Sequence, residues 1–217
     1  MPRLAALHPD LGEIMRRFGS AQVRMSGTVG GNIANGSPIG DLPPALIALG
    51  ASVELRKGDV SRRLPLEGFF IAYGKQDRAP GEYVRRIRAP RLSENQHYRS
   101  FKVSKRFDED ISAVMSAFRF TLDGRRIDEA RIAYGGMAAT PKRASNAEKA
   151  LVGADLDDPS SWNAAIAAIA TDYAPLTDMR ATAAYRLRVA ANLLLKALLE
   201  VAGVESNTRI GGLRAAE

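Results

Sequence analysis

The densest run of groups able to hold a ligand lies between residues 28 and 41, where Thr28-Val29-Gly30-Gly31-Asn32 is followed by Ser37 and Asp41. Adjacent glycines let a backbone turn tightly and approach a ligand closely, and the N–H groups they expose suit a pyrophosphate. Thr28, Asn32, Asn35 and Ser37 add side-chain hydrogen-bonding groups. Asp41 adds an acceptor for ribose hydroxyls or a polar ring edge. The pattern is neither a Walker loop, since no Gly-Lys-Ser/Thr follows, nor G-x-G-x-x-G. On spacing alone, a surface connector built of turn residues explains the stretch equally well.

Other chemistries are poorly supplied. The 217 residues contain no Cys, which excludes disulfides, thiolate-held zinc, iron–sulfur clusters and a cysteine nucleophile within the chain. With His8 and His97 as the only histidines, a multi-histidine metal centre has no donors. Asp108-Glu109-Asp110 points its consecutive carboxylates in different directions and reads as a solvated loop. Any redox or transfer chemistry must therefore come from a bound cofactor or another chain.

The net charge of +7 is concentrated: residues 56–106 carry 14 Lys/Arg against 5 Asp/Glu. A basic segment attracts nucleic acid, an acidic partner or a phosphate-bearing ligand. Without regular aromatic interleaving, a base-stacking platform is the weakest of these, and a solvated basic face is the plain alternative. The most apolar stretch, residues 189–199, is broken by Asn192 and Lys196 and falls short of a membrane span. The N-terminus lacks the apolar core of a signal peptide. A soluble cytoplasmic chain, not held in a membrane, is the expectation.

The elements that must position the 28–41 segment follow from periodicity. Residues 9–17 read as a short helix with Leu11, Ile14 and Met15 on one side, and residues 26–41 as irregular. Pro43-Pro44 opens a short apolar helix stopped by Gly50. Strands follow around Val53 and Leu55, over residues 62–66 and over residues 83–89. A polar stretch at residues 90–96 reads as a domain boundary. Beyond it come strands at 98–105 and 111–122, then an Asp123-Gly124 hairpin and a strand at 127–134. Helices are expected from Thr140-Pro141 to Leu151, after Ser160 or Ser161, and from Asp178 to Ala202, with a disordered tail. The fold class is α+β. The segment 98–202 has enough apolar residues to fold on its own.

The stretch TVGGNIANGSPIGDLPPAL closely resembles the second flavin-binding signature of the molybdenum hydroxylase flavoproteins, the small FAD-carrying subunits of xanthine dehydrogenases among them. IMRRFGSAQV (residues 14–23), FFIAYGKQDRAPGEYV (69–84), YGGMAATPK (134–142) and PLTDMRATAAYRLR (175–188) resemble the same family in the same order. The resemblance implies that residues 1–92 form the C-terminal lobe of a two-lobed FAD-binding domain. It implies that 97–203 form the flavoprotein's C-terminal domain, with antiparallel strands and a helical layer, and leaves 204–217 as the tail.

By that resemblance Thr28, Val29, Gly30, Gly31 and Asn32 cradle the FAD phosphates, and Ser37 and Asp41 lie near its ribityl and pyrophosphate part. Phe18 matches an aromatic beside the cofactor, Val84 an apolar flavin contact, and Lys102 a lysine near the flavin ring. Gly40 stands where relatives often carry a hydroxyl. The resemblance further implies electron passage from purine hydroxylation, through iron–sulfur clusters, to FAD and then NAD. The molybdopterin would be on a partner large subunit, and the 2Fe-2S clusters and first FAD lobe on segments that this sequence lacks. Flavoproteins of carbon monoxide dehydrogenase or other molybdenum hydroxylases, and a non-catalytic assembly module, are the alternatives. Asp41→Ala and Gly31→Val are each expected to abolish FAD retention without unfolding the chain.

Overall fold

The computed structural model describes residues 2–204 and residue 208. Among them the chain is α+β. Its first helices are short and individually capped. After α1 (Pro2–Ala5), α2 (Pro9–Arg16) has Pro9 in its first turn, where a missing N–H costs nothing, and His8 Nδ1 accepts from Asp10 N at 3.1 Å. Leu11, Ile14 and Met15 are buried on one face, as their spacing predicts. Ser20 caps α3 (Ala21–Ser26). The expectation of irregular chain over 26–41 is corrected: residues Val29–Asn35 form α4. Its two glycines disfavour helix by roughly 1 kcal/mol each. Caps at both ends offset this, with Thr28 Oγ1 accepting from Gly31 N at 2.9 Å and Gly36 in the left-handed region at φ 62°, while Ile33 is fully buried. Next, α5 (Leu42–Ala48) is buried along its whole length.

Strands β1 (Ser52–Lys57) and β2 (Val60–Pro65) form a hairpin, followed by the short pair β3 (Phe70–Ala72) and β4 (Lys75–Gln76). With β5 (Tyr83–Arg88) they make an antiparallel sheet in the order β2-β1-β5, beside the separate β3-β4 pair. The second sheet contains β6 (Gln96–Val103), β7 (Val114–Asp123), β8 (Arg126–Gly135) and β9 (Lys142–Arg143), antiparallel in that order. Gly124, at φ 59°, makes the expected β7–β8 hairpin.

The helix expected from Thr140-Pro141 starts later. Strand β9 occupies that place, and α6 (Ser145–Leu151) follows it. Its cap is non-local: the Asp172 carboxylate accepts from Asn146 N and Ala147 N at 3.0 Å. Likewise Asp158, rather than Ser160 or Ser161, caps the 3-10 turn Pro159–Trp162 that leads into α7 (Asn163–Asp172). Helix α8 (Ala183–Ala202) begins at the Thr182 cap instead of at Asp178, which is an acceptor in the preceding loop. Gly203 ends it at φ 81°. The expected tail, 204–217, lies outside the described residues except for Val204 and Thr208.

Strand alternation divides the second sheet's side chains between two cores. Phe101, Phe118, Phe120, Ile132 and Tyr134 face α6–α8, in a core with Trp162 and Leu194. Tyr98, Met115, Ala117 and Ala133 face the other way, into a core with Leu11, Ile14, Leu46 and Ile47. That second face also grips α5: Tyr98 Oη donates to Ala45 O at 3.4 Å, Arg131 Nη2 to Ile47 O at 3.0 Å, and Arg119 Nη1 to Leu49 O at 3.3 Å. Both arginines therefore satisfy carbonyls at the C-terminal end of the helix.

A fragment spanning 97–203 would expose Tyr98, Met115, Ala117 and Ala133. We therefore expect it to melt below the full chain and to bind a hydrophobic dye, with Trp162 fluorescence as the readout. A fragment that melts at the full chain's temperature would mean that this second face contributes little.

Candidate functional site

The cradle forms because Thr28 ends α3's exit and caps α4. Its hydroxyl takes the Gly31 amide, and no protein acceptor among the described residues takes the amides of Val29 and Gly30. First-turn amides left this way can donate to a ligand. Gly30 lies against β5: a Cβ there would touch Val84 at 3.6 Å. At Gly31 a Cβ would press on Thr28 Oγ1 at 3.0 Å, so a side chain disturbs both the cap and the approach to the amides. Asn32 Oδ1 is buried with no hydrogen-bond partner. An orphaned acceptor of this kind costs stability and is commonly satisfied by a ligand or water. Beside these groups lies a cavity of about 340 Å³, lined by Leu4, Leu7, Val29, Gly30, Val84 and Arg86, among others.

The segment from Ser37 to Asp41 is folded onto the second sheet. Ser37 Oγ accepts from Ile39 N at 3.3 Å and is used in the turn. Pro38 O accepts from Gly136 N at 2.7 Å. Asp41 stands before α5 without capping it. Its carboxylate accepts from Lys102 Nζ at 2.7 Å and from the buried Ser112 hydroxyl. The lysine and aspartate side chains are only 2% and 8% exposed. Lys102 Nζ also donates to Arg17 O at 3.1 Å, which places the half-buried Phe18 next to this pair.

The site residues thus fall into two groups. Val29, Gly30 and Val84 line the cavity, and Thr28, Gly31 and Asn32 belong to the same helix start beside it. Asp41 and Lys102 form a buried pair at the end of the 37–41 turn, with Phe18 next in sequence to Arg17, whose carbonyl Lys102 also reaches. Because Asp41 neutralises Lys102, any ligand meets a compensated pair rather than a bare ammonium. The expectation that Asp41→Ala leaves the fold intact is corrected for the same reason: Ala would strand a buried cation.

Sequence reasoning missed Ser112, which carries no motif; Gly135-Gly136, readable from the sequence as a structural turn, packs against the 38–44 segment. A Cβ at Gly135 would meet Pro44 Cγ at 3.1 Å and Pro38 O at 3.3 Å. Asp110 accepts from Arg106 N and Ile111 N, which accounts for it as a loop residue. No group of metal-holding side chains occurs among the described residues, and no helix there is long and apolar enough to cross a membrane.

The free first-turn amides, the orphaned Asn32 acceptor and the glycine approach fit a diphosphate with polar substituents, the part of FAD that the sequence resemblance assigns here. Comparison with known proteins supports an FAD-binding family. Residues 1–92 match the FAD binding domain in molybdopterin dehydrogenase, and residues 99–201 match the CO dehydrogenase flavoprotein C-terminal domain. The chain is 32% identical to the glyceraldehyde dehydrogenase medium chain of Sulfolobus acidocaldarius, over 89% of this chain and 68% of that one. It is 32% identical to the carbon monoxide dehydrogenase medium chain of Afipia carboxidovorans, over 90% and 67%. It is also 32% identical to the xanthine dehydrogenase of Emericella nidulans, where 73% of this chain spans only 12% of the relative's length. Among solved structures, CO dehydrogenase from Oligotropha carboxidovorans superposes with a TM-score of 0.84 at 30% identity, covering 94% of this chain and 70% of that one. The chain belongs to the flavoprotein family of the molybdenum hydroxylases.

Proposed function

We propose that this chain holds FAD in a xanthine dehydrogenase-like oxidoreductase, on the path of electrons from purine hydroxylation to NAD. The molybdopterin-binding large subunit and the 2Fe-2S domains are then partner chains or segments. When bound, FAD supplies the exchange between single-electron clusters and a hydride acceptor. The chain's own residues bind and orient it. The amides of Val29 and Gly30 donate to the diphosphate, Asn32 Oδ1 accepts from a ligand hydroxyl, and Val84 gives an apolar wall. Ser37 and Asp41 fix the turn that follows, and Lys102, compensated by Asp41, lies with it beside Phe18.

The observation that carries this reading is the cradle at residues 28–32 with its unsatisfied Asn32 acceptor. The cavity of about 340 Å³ holds part of a dinucleotide. The proposal therefore includes a first lobe, supplied by another segment or chain, that closes on the remainder.

A second reading, a carbon monoxide dehydrogenase-like or other medium chain, is favoured by the match of 89% and 90% of this chain to two relatives that are medium chains. Adding xanthine, carbon monoxide or an aldehyde anaerobically to the assembled enzyme separates the two. Xanthine should bleach the flavin absorbance, and NAD should then be reduced. Bleaching by carbon monoxide or an aldehyde alone would overturn the purine assignment in favour of the second reading.

A further inference from the structure

Arg186 is 2% exposed, yet it belongs neither to the cradle nor to the apolar core. It sits in the first turns of α8, and its guanidinium reaches three separate pieces of chain. Nη1 donates to Ala113 O and, at 3.0 Å, to Gly136 O. Nη2 donates to Asp178 Oδ1 at 2.7 Å. Asp178, 34% exposed, also accepts from Arg180 N and Ala181 N. These bonds hold its carboxyl below the usual range against the opposing cost of burial.

The two carbonyls that Arg186 grips come from the same two short segments that grip the flavin turn. Ser112, next to Ala113, donates to Asp41. Gly136 itself donates its amide to Pro38 O at 2.7 Å. Gly136 has φ 79°, and a Cβ on it would collide with Ala113 O, so the two segments approach without an intervening side chain. Arg186 bridges the two segments through their carbonyls, and the same segments bond to Pro38 and Asp41.

We infer that Arg186 is a positioning residue for bound FAD, acting through Ala113 and Gly136 on the turn at residues 38–41. The inference rests on the flavin-binding reading above. A buried guanidinium is costly unless its geometry is used: here Nη1 bridges the two carbonyls while Nη2 is anchored on Asp178, a two-armed hold that a lysine's single ammonium cannot reproduce. That separation sets where Ser112 and the Gly136 amide present themselves to Asp41 and Pro38. Arg186 touches neither FAD nor substrate in this scheme. Its effect should therefore appear in how firmly FAD is held and in the flavin's potential.

The test compares Arg186→Lys with Leu194→Ala in the assembled enzyme. Leu194 is fully buried on the same helix in the apolar core away from the turn. Both variants should lower the melting temperature. Arg186→Lys should also raise the FAD dissociation rate about tenfold, equivalent to about 1.4 kcal/mol, and shift the potential of the bound flavin. Leu194→Ala should leave both unchanged. If Arg186→Lys fails to fold, Ser112→Ala cuts the same relay one bond nearer the turn and should speed FAD release similarly. Wild-type FAD release and potential in Arg186→Lys, or in Ser112→Ala where that variant decides, would overturn the positioning role. An equal acceleration by Leu194→Ala would overturn it as well, as a general effect of stability. Wild-type enzyme that purifies without flavin would instead overturn the flavin-binding reading, and this inference with it.

Discussion

Asp41→Ala is expected to destabilise the chain by about 3–5 kcal/mol, the usual cost of removing one partner of a buried ion pair. The physical cause is Lys102. Its side chain is 2% exposed, and without Asp41 its ammonium keeps, among the described residues, the Arg17 carbonyl at 3.1 Å. Ser112 loses its acceptor at the same time. For a chain of this size the melting temperature should fall by on the order of 10 °C, read by the fluorescence of the buried Trp162. Replacing both partners, as Asp41→Leu with Lys102→Met, should recover most of that loss, since well-packed apolar residues commonly match a buried pair. It should not recover FAD binding. A single Asp41→Ala that melts with the wild type would mean that water reaches Lys102 in solution.

Gly31→Val is expected to have the opposite profile, a nearly normal fold and a large loss of FAD. Gly31 is exposed, so the fold meets only a weakened Thr28 cap, worth about 1 kcal/mol and partly offset by replacing a helical glycine. A branched side chain there crowds Thr28 Oγ1, 3.0 Å from where its Cβ would sit, and stands over the first-turn amides. Losing two charge-assisted bonds to phosphate, at about 1.5–3 kcal/mol each, corresponds to a hundredfold or greater rise in Kd. Flavin content per chain after purification measures it. Wild-type flavin content in a folded Gly31→Val would remove residues 28–32 from the site.

Much of the strand pattern was legible in the sequence because it is local. Alternating residues in β7 and the Asp123-Gly124 turn specify the hairpin without help from the rest of the molecule. The misread parts depend on distant partners. Helix α4 is glycine-rich and poor in propensity, and it exists because Thr28 and Gly36 close its ends and Ile33 finds a core. The start of α6 is fixed by Asp172, 26 positions away from Asn146, so no reading of its own flank could place it. The site shows the same division. Residues 28–32 stand out by their glycines and hydroxyls, and Lys102 entered through family resemblance alone. Ser112 has no signature, and Arg186 lies within the family-like stretch 175–188 without a role assigned to it, because their importance comes from which backbone groups they reach after folding.

The central claim is that residues 28–32 hold FAD together with a complementary lobe. The most direct measurement is an FAD titration, followed by quenching of flavin fluorescence, into the 217-residue chain mixed with a separately expressed first lobe from a relative. Wild type and Gly31→Val are run in parallel, each with and without the lobe. The account predicts saturation at one FAD per chain for wild type with the lobe, binding weaker by a factor of hundreds without it, and no saturation for Gly31→Val in either case. Tight stoichiometric binding by Gly31→Val, indistinguishable from wild type, would contradict it.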